Sequence, residues 1–500
     1  MLKSSVALVS SRGNHYILDH HRKQILFAHP LFQYIVGLAE RGRSLEACLN
    51  AAQKRFGRGK VTRGNVAYYY SKYQWLKQNG YFSPYPQYAR GRHLLRKQDV
   101  QRILSNPSHL TFELTEKCNL RCRYCGYGEL YGNKGRRGGR NLDIRLVRNL
   151  LDYLEKQGGH NFADPKGTKF NISFYGGEPL LQIKLIADIM ADVRQRGWGR
   201  PVKYRMTTNG LLLDRYLDFL VENEVEMNVS LDGDVMHNAY RVQPNGKPTF
   251  AQVMRNLKTL RARHPKYFED RVGIITVLHR LNTMAEVSDF FQKELSKSPT
   301  FLDLNPLGVK PKRWQDYLDM GGKPEAAEAS LEGEPGGRPP LGDEELNLSY
   351  FVNAYTDFCF PTYRHLLFSE QYRQRPPTAT CLPFSKKIFL AADGKLLACE
   401  RIGRKFPLGQ VRLGGIELNA GTVAEAYNRF YRKMAATCNA CQRSRLCKKC
   451  LYYLDIQNQH PVCSDFMGSQ AFQKYAEAHL NLFEEHPKLY NSILKEFFLG

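Results

Sequence analysis

Cys118, Cys122 and Cys125 close a short run, Glu116-Lys117-Cys118-Asn119-Leu120-Arg121-Cys122-Arg123-Tyr124-Cys125, with the spacing C-x3-C-x2-C. Thiolates are ligands for iron–sulfur clusters and for zinc. A structural zinc asks for four protein ligands, and the run offers no fourth cysteine or histidine. A four-iron cube also takes four thiolates as a rule. Three thiolates leave one iron open, and an open iron can hold a substrate. Thiols merely scattered through a core would show no such spacing.

A second array holds Cys381, Cys399, Cys438, Cys441, Cys447, Cys450 and Cys463, including Gly394-x4-Cys399 and C-x2-C-x5-C-x2-C over 438–450. Seven thiols suit two clusters, and a zinc ribbon is the competing reading of such spacing. Glu400 directly follows Cys399. Three polar motifs lie between the arrays: Tyr175-Gly176-Gly177-Glu178-Pro179, Thr207-Thr208-Asn209-Gly210 and Ser230-Leu231-Asp232-Gly233. Paired glycines let backbone approach a ligand closely, and Glu178 offers a carboxylate to an ammonium group. Each motif alone also reads as an ordinary turn or helix cap.

The run at 118–125 resembles the signature of the radical S-adenosylmethionine (radical SAM) enzymes. In that family the open iron chelates the amino and carboxylate groups of SAM, and one electron from the cluster releases a 5′-deoxyadenosyl radical. The resemblance implies that Tyr124 lies against the adenine and that Gly176, Gly177 and Glu178 meet the amino group. Thr208 and Asn209 stand at the barrel mouth, Ser230 contacts SAM, and Arg241 meets the carboxylate side by bidentate pairing. Arg241 stands one residue nearer the serine motif than is usual. The second array resembles the SPASM domain, whose members carry two auxiliary [4Fe–4S] clusters. By that resemblance Cys381, Cys399 and Cys450 hold the first, and Cys438, Cys441, Cys447 and Cys463 hold the second. The spacing before Cys450 is x2 where x3 is common. The fourth ligand of the first auxiliary cluster is Cys359, the substrate, or none. A related subfamily has an acidic residue at the position of Glu400 that takes a proton from substrate, which makes Glu400 the candidate catalytic base; an exposed ion pair is the plain alternative.

These sites need a scaffold. Strands are expected at Leu110–Leu114, Phe170–Tyr175, Val202–Met206, Glu226–Ser230, Val272–Val277 and Phe301–Asn305. Helical apolar stripes lie between them, at Ile144–Leu154, Leu181–Val193, Leu213–Val221, Phe250–Leu260 and Ala285–Leu295. The fold class is therefore α/β, a partial (β/α)6 TIM barrel over 108–312 with its chemistry at the carboxyl ends of the strands. Residues 1–85 read as two strands (Val6–Val9, His15–Leu18) and three helices, a winged-helix-like unit that resembles the leader-peptide recognition domain of peptide-modifying radical SAM enzymes; a structural cap is the alternative. Residues 86–107 read as a basic linker with Arg90, Arg92, Arg96, Lys97 and Arg102. Residues 313–376 form an insertion or bridging region, within which Gly321–Glu345 is rich in Gly, Pro and Glu. Residues 377–468 form the cysteine-rich SPASM-like domain, and 469–500 the C-terminal helices.

The 500 residues carry 73 Lys and Arg against 48 Asp and Glu, a net charge of +25. Such a balance favours an anionic partner, and the loop Lys134, Arg136, Arg137, Arg140 either guides one or is a solvated charge run. Twelve cysteines without a signal peptide or a bilayer-length apolar stretch imply a cytoplasmic chain that uses thiols for metal or catalysis. Cys48 reads as a small buried apolar side chain.

Phrases such as Pro383-Phe384-Ser385-Lys386-Lys387 and Cys399-Glu400-Arg401-Ile402-Gly403 resemble the Bacteroidetes-type radical SAM peptide maturases. That resemblance implies SAM and three [4Fe–4S] clusters as cofactors, a ribosomally made precursor peptide with a leader as substrate, and a reduced flavodoxin or ferredoxin as electron donor. The expected reaction abstracts hydrogen from the peptide and installs a thioether or carbon–carbon crosslink. The alternatives are a radical SAM RNA-modifying enzyme, a peptide epimerase or a sulfatase-maturase-like oxidase. Nucleic acid is disfavoured because the tail offers cysteines rather than an RNA-binding module. A non-enzymatic electron-transfer or zinc-scaffold protein is the third class.

Overall fold

The computed structural model describes residues 4–83, 94–132, 138–163, 169–305, 308–321, 348, 351, 352, 355, 378, 380–444, 447, 449–454, 461–463 and 465–489. The N-terminal unit opens with an antiparallel sheet of β1 (Ser5–Val9), β2 (His15–Asp19) and β3 (Gln24–Phe27), in that order. Helices α1 (Pro30–Ala39), α2 (Leu45–Phe56) and α3 (Arg63–Gln78) follow. The sequence reading expected two strands here. It missed β3 because the Ile25-Leu26 pair breaks the alternation that marks a half-buried strand. Cys48 is fully buried on α2, as expected of a small apolar side chain.

Helix α4 (Lys97–Ser105) lies inside the stretch expected to be a linker. It buries Val100 and Leu104, one turn apart on the same face. Two apolar residues among basic ones are too thin a stripe to read from sequence.

Six parallel strands form the body: β4 (His109–Thr115), β5 (Phe170–Gly176), β6 (Val202–Thr208), β7 (Glu226–Ser230), β8 (Val272–Leu278) and β9 (Thr300–Asp303), side by side in chain order. Between them run α5 (Ile144–Ala163), α6 (Ile183–Gln195), α7 (Leu213–Glu222), α8 (Phe250–Arg263), α9 (Pro265–Arg271) and α10 (Met284–Leu295). Alternation sorts the two faces of this sheet. Phe112, Phe174, Met206, Met227 and Val272 stand in register and are buried in the main core. The row one residue along, Thr111, Ser173, Arg205 and Glu226, is polar. Parallel sheets covered on both faces read as continuous apolar runs. A polar row on the second face instead marks the interior of a half-closed barrel that takes polar contents.

The sheet does not stop at β4. A short helix α11 (Trp314–Asp319) follows β9. Farther along the chain, β10 (Ile388–Leu390) pairs in parallel with β4, matching Ile388 to Leu110 and Leu390 to Phe112. Then β11 (Lys395–Leu397), β12 (Gly409–Arg412) and β13 (Gly415–Glu417) extend it antiparallel to ten strands. Helix α12 (Ala420–Ala440) comes next and contacts α4. The cysteine-rich region is thus joined to the barrel by continuous backbone pairing. Helix α13 (Ser469–Glu485) packs Phe472, Ala476 and Leu480 on Val6, Leu8 and Leu18 of the N-terminal sheet.

Among the described residues no helix is long and apolar enough to cross a membrane. Arg90, Arg92, Lys134, Arg136, Arg137, Cys359 and nearly all of the Gly321–Glu345 stretch lie outside the described residues.

Candidate active site

The loop bearing Cys118, Cys122 and Cys125 leaves the carboxyl end of β4. Its backbone is pinned: Arg121 N–H donates to the Val242 carbonyl (2.7 Å) and Arg123 N–H to that of Tyr240 (3.0 Å). The three thiols lie close enough for each neighbour's charge to disfavour ionisation of Cys122, and burial, the larger cause, pushes Cys122 up to about 12. Among the described residues no three His, Cys, Asp or Glu converge enough to share one metal ion. A cube asks for less convergence, because each thiolate binds a different iron. The donor set therefore fits a cluster better than a single ion, and a bound cationic cluster would reverse the cost of the thiolates. Cys118 Sγ already accepts from Leu120 N–H (3.4 Å) and Asn209 Nδ2 (3.8 Å). Hydrogen bonds to ligand sulfur are one means by which proteins tune such centres.

Asp232 is the hub beside this loop. Its side chain is fully buried and accepts Arg241 Nε at 2.9 Å and Nη2 at 3.2 Å, Val277 N–H at 3.0 Å and the Tyr124 hydroxyl. His279 Nε2 lies 3.6 Å away. Burial alone would raise this carboxyl. The Arg241 guanidinium, with the hydrogen bonds of His279 and Tyr124, outweighs it and holds Asp232 below the usual carboxylate range. Arg241, expected on the SAM carboxylate, thus turns a fork toward a carboxylate of the chain itself, and its guanidinium carbon sits 5.4 Å from the Tyr124 ring centre. Sequence reasoning quoted Asp232 within its motif and gave it no task. The signal was a lone carboxylate at a strand end with an arginine nine residues on.

Gly176 and Gly177 approach backbone, and the ligand role expected of them is joined by a packing one. A Cβ on Gly176, at φ +134°, would lie 2.3 Å from the Thr115 carbonyl, and one on Gly177 would lie 2.1 Å from that of Lys117. The loop donates Gly177 N–H to Thr115 (2.8 Å) and Glu178 N–H to Lys117 (2.9 Å), so it braces the segment entering the first cysteine. Glu178, 1% exposed, accepts from Leu180 N–H (3.0 Å), Thr208 Oγ1 (2.8 Å) and Asn209 N–H (2.8 Å). Burial exceeds those bonds and pushes it up to about 6. Glu178, Thr208 and Asn209 thus form one cluster with Cys118. Ser230 ends β7 on the interior face.

In the second array Cys450 is pushed up to about 11, first by burial, with the charges of Cys399 and Cys381 adding to it. Cys438 is pushed up to about 12, first by burial, with the charges of Cys447, Cys463 and Cys441 adding to it. Glu400 pairs with Lys387 Nζ at 3.0 and 3.1 Å. Burial would raise Glu400, and Lys387 together with backbone donors keeps it below the ordinary range. The charges of both Glu400 and Cys125 act on Tyr175, which also meets Phe389 edge-on at 6.1 Å. Tyr175, Cys399 and Cys450 pack against the apolar cluster that contains Phe389.

A model of the radical SAM superfamily matches residues 112–293, the span that runs from β4 through the thiol triad, Glu178, Asp232 and Arg241 to α10. The chain carries a radical SAM domain. Curated relatives include a cysteine-type anaerobic sulfatase-maturating enzyme of Clostridium novyi, 27% identical over 222 residues, which are 41% of this chain and 56% of that one. A radical SAM cyclopropyl synthase, TigE, of Paramaledivibacter caminithermalis is 24% identical over 230 residues, 45% of this chain and 48% of that one. The chain thus spans about half the length of these relatives. Among solved structures, native anSMEcpe with bound AdoMet aligns over 77% of this chain and 99% of that one at 19% identity, with a TM-score of 0.47. The radical SAM domain implies SAM and one four-iron cluster, and the donors at 118–125 fit that cluster.

Proposed function

We propose that this chain is a radical SAM maturase that takes hydrogen from a ribosomally made precursor peptide and installs an intramolecular thioether or carbon–carbon crosslink. One observation carries the reading. Seven further cysteines lie in a region whose strand β10 pairs with β4, the strand that leads into the triad, and Glu400 beside Cys399 is held by Lys387. Relatives named as a sulfatase-maturating enzyme and a cyclopropyl synthase support chemistry of this kind.

SAM bound at the triad supplies a hydrogen-abstracting radical. The remaining work falls to the chain. Asp232 orients Arg241 and Tyr124 at the SAM site, and Asn209 bonds Cys118. The polar interior row admits a peptide backbone. Glu400, kept ionised by Lys387, accepts at its carboxylate the proton when the second hydrogen leaves as a proton and an electron. Cys381, Cys399 and Cys450 would hold one auxiliary cluster and Cys438, Cys441, Cys447 and Cys463 the other, and a cluster so held would supply an acceptor for the surplus electron. The N-terminal sheet and helices hold the leader, and a flavodoxin or ferredoxin supplies the first electron.

The test is anaerobic reconstitution, together with coexpression with any short open reading frame found beside the gene. About twelve irons, three cubes of four, with SAM cleavage and loss of two hydrogens from the peptide, is the expected result. Zinc in the thiols without SAM cleavage would refute the enzyme. Deuterium uptake at constant mass would replace the crosslink by epimerisation.

A further inference from the structure

Two buried carboxylates flank the entry to the thiol triad. Glu113 on β4 is 1% exposed and Glu116, two residues before Cys118, is 5% exposed. Unpaired, such charges would be costly. Their shared partner comes from far along the chain. Arg404, in the segment between β11 and β12, places Nη2 at 2.5 Å from Glu113 and Nη1 at 2.5 Å from Glu116. Its Nη1 also lies 3.5 Å from Asp393 in the β10–β11 turn. Among the described residues, Arg404 is the ion-pair partner of both carboxylates.

The contacts reach both ends of the triad loop. Glu113 accepts the Tyr127 hydroxyl (2.7 Å), which lies just past Cys125, and Ala392 N–H (2.9 Å) from the β10–β11 turn. Glu116 accepts Arg140 N–H (3.3 Å), and Arg140 Nη1 returns to Asp393 at 3.7 Å. Gly138 leaves no gap, since a Cβ there would fall 1.8 Å from Glu116 Oε2. One guanidinium therefore bridges three acidic groups from two regions, and its planar fork suits two carboxylates at once where an ammonium would not.

We propose that Arg404 is a positioning residue: it seats the cysteine-rich region against both flanks of the Cys118–Cys125 loop and so sets the gap that a substrate bridges between the triad and Cys399. The catalytic half of this inference rests on the maturase reading; the structural half does not. Two measurements on the full-length reconstituted protein test it, with Arg404→Gln and Arg404→Lys. Hydrogen–deuterium exchange over 113–127 and 388–397 should quicken about tenfold or more in Arg404→Gln, while β1–β3 keep their wild-type rates. The deoxyadenosine released per peptide modified should rise, because SAM is cleaved without a correctly seated substrate. Arg404→Lys, which keeps the charge and loses the fork, should fall between. Wild-type exchange and wild-type coupling in Arg404→Gln would overturn the proposal. If Arg404→Gln does not fold, Arg404→Lys decides: wild-type behaviour there overturns the forked bridge. A wild-type chain that cleaves SAM yet modifies no peptide defeats the maturase reading, and the exchange rates still judge Arg404.

Discussion

The two thiol regions are built by opposite means. The triad sits on one loop framed by the polypeptide: backbone bonds to 240–242, a buried Asp232–Arg241 fork and the Gly176–Gly177 brace. The other seven thiols come from segments as far apart as Cys381 and Cys463. Lys449 meets Asp465 at 3.4 Å, and Met467 N–H reaches Cys441 Sγ at 3.5 Å. Burial with mutual repulsion raises Cys438 and Cys450, a cost that a bound metal would offset. A preformed frame binds its cluster as a ligand, whereas a dispersed set gains part of its fold from the cluster. Chelating the iron should therefore loosen 438–463 before it loosens 118–125, as limited proteolysis would show.

The largest separation is expected from single cysteine changes. Cys122→Ala should abolish SAM cleavage and remove about four irons. Cys438→Ala should also remove about four irons while SAM cleavage continues and peptide product is lost. Iron analysis alongside deoxyadenosine and peptide mass checks both. Equal loss of SAM cleavage in the two variants would erase the contrast.

Next in size is the frame itself. Asp232→Asn leaves the Arg241 guanidinium buried without its counter-charge and should cost about 3–5 kcal/mol, read by chemical denaturation. The pH dependence has a definite sign. Asp232 is held below its unfolded value, so its contribution is present above the ordinary aspartate range and fades as pH falls through the folded value.

The barrel, and with it the triad, was largely legible before the structure. Period-3.6 stripes and short apolar runs fell within a few residues of all six strands and four of the six helices between them and marked the first half of α5, because packing against one main core imposes that pattern. Helix α9 was not seen, since its seven residues bury one side chain, Phe268. The ligand sets proposed for the second array rest on family resemblance. No local pattern could show β10 pairing with β4, a contact across 278 residues from Leu110 to Ile388. Arg404 escaped for the same reason, since its partners Glu113 and Glu116 lie 291 and 288 residues away in sequence. Long-range electrostatics leaves no periodic trace.

Glu178 offers an opposite slope to that of Asp232 within the same site. Burial lifts it to about 6 from an ordinary 4.5, so the folded chain holds this proton more tightly than the unfolded one. Its contribution is fully present below pH 4.5, and is lost as pH rises toward 6. The span corresponds to about 2 kcal/mol. Glu178→Gln should flatten that part of the stability profile relative to wild type. An unchanged profile would mean that the three donors on the carboxylate outweigh its burial.

The smallest effect tests the seam between the regions. Asn428 on α12 is buried and clasps one residue twice, donating Nδ2 to the Leu95 carbonyl (2.9 Å) and accepting Leu95 N–H (2.9 Å). It does for the backbone before α4 what a neighbouring strand would do. Asn428→Ala should cost about 1–2 kcal/mol, because Leu95 is half-buried and water can replace part of what is lost. If the cysteine-rich region were held mainly by its clusters, the penalty would vanish in reconstituted protein and appear in the iron-free form. A penalty equal in both forms would instead assign the seam to the polypeptide, and the division between a preformed triad frame and a metal-dependent second array would then apply only to the stretch beyond α12.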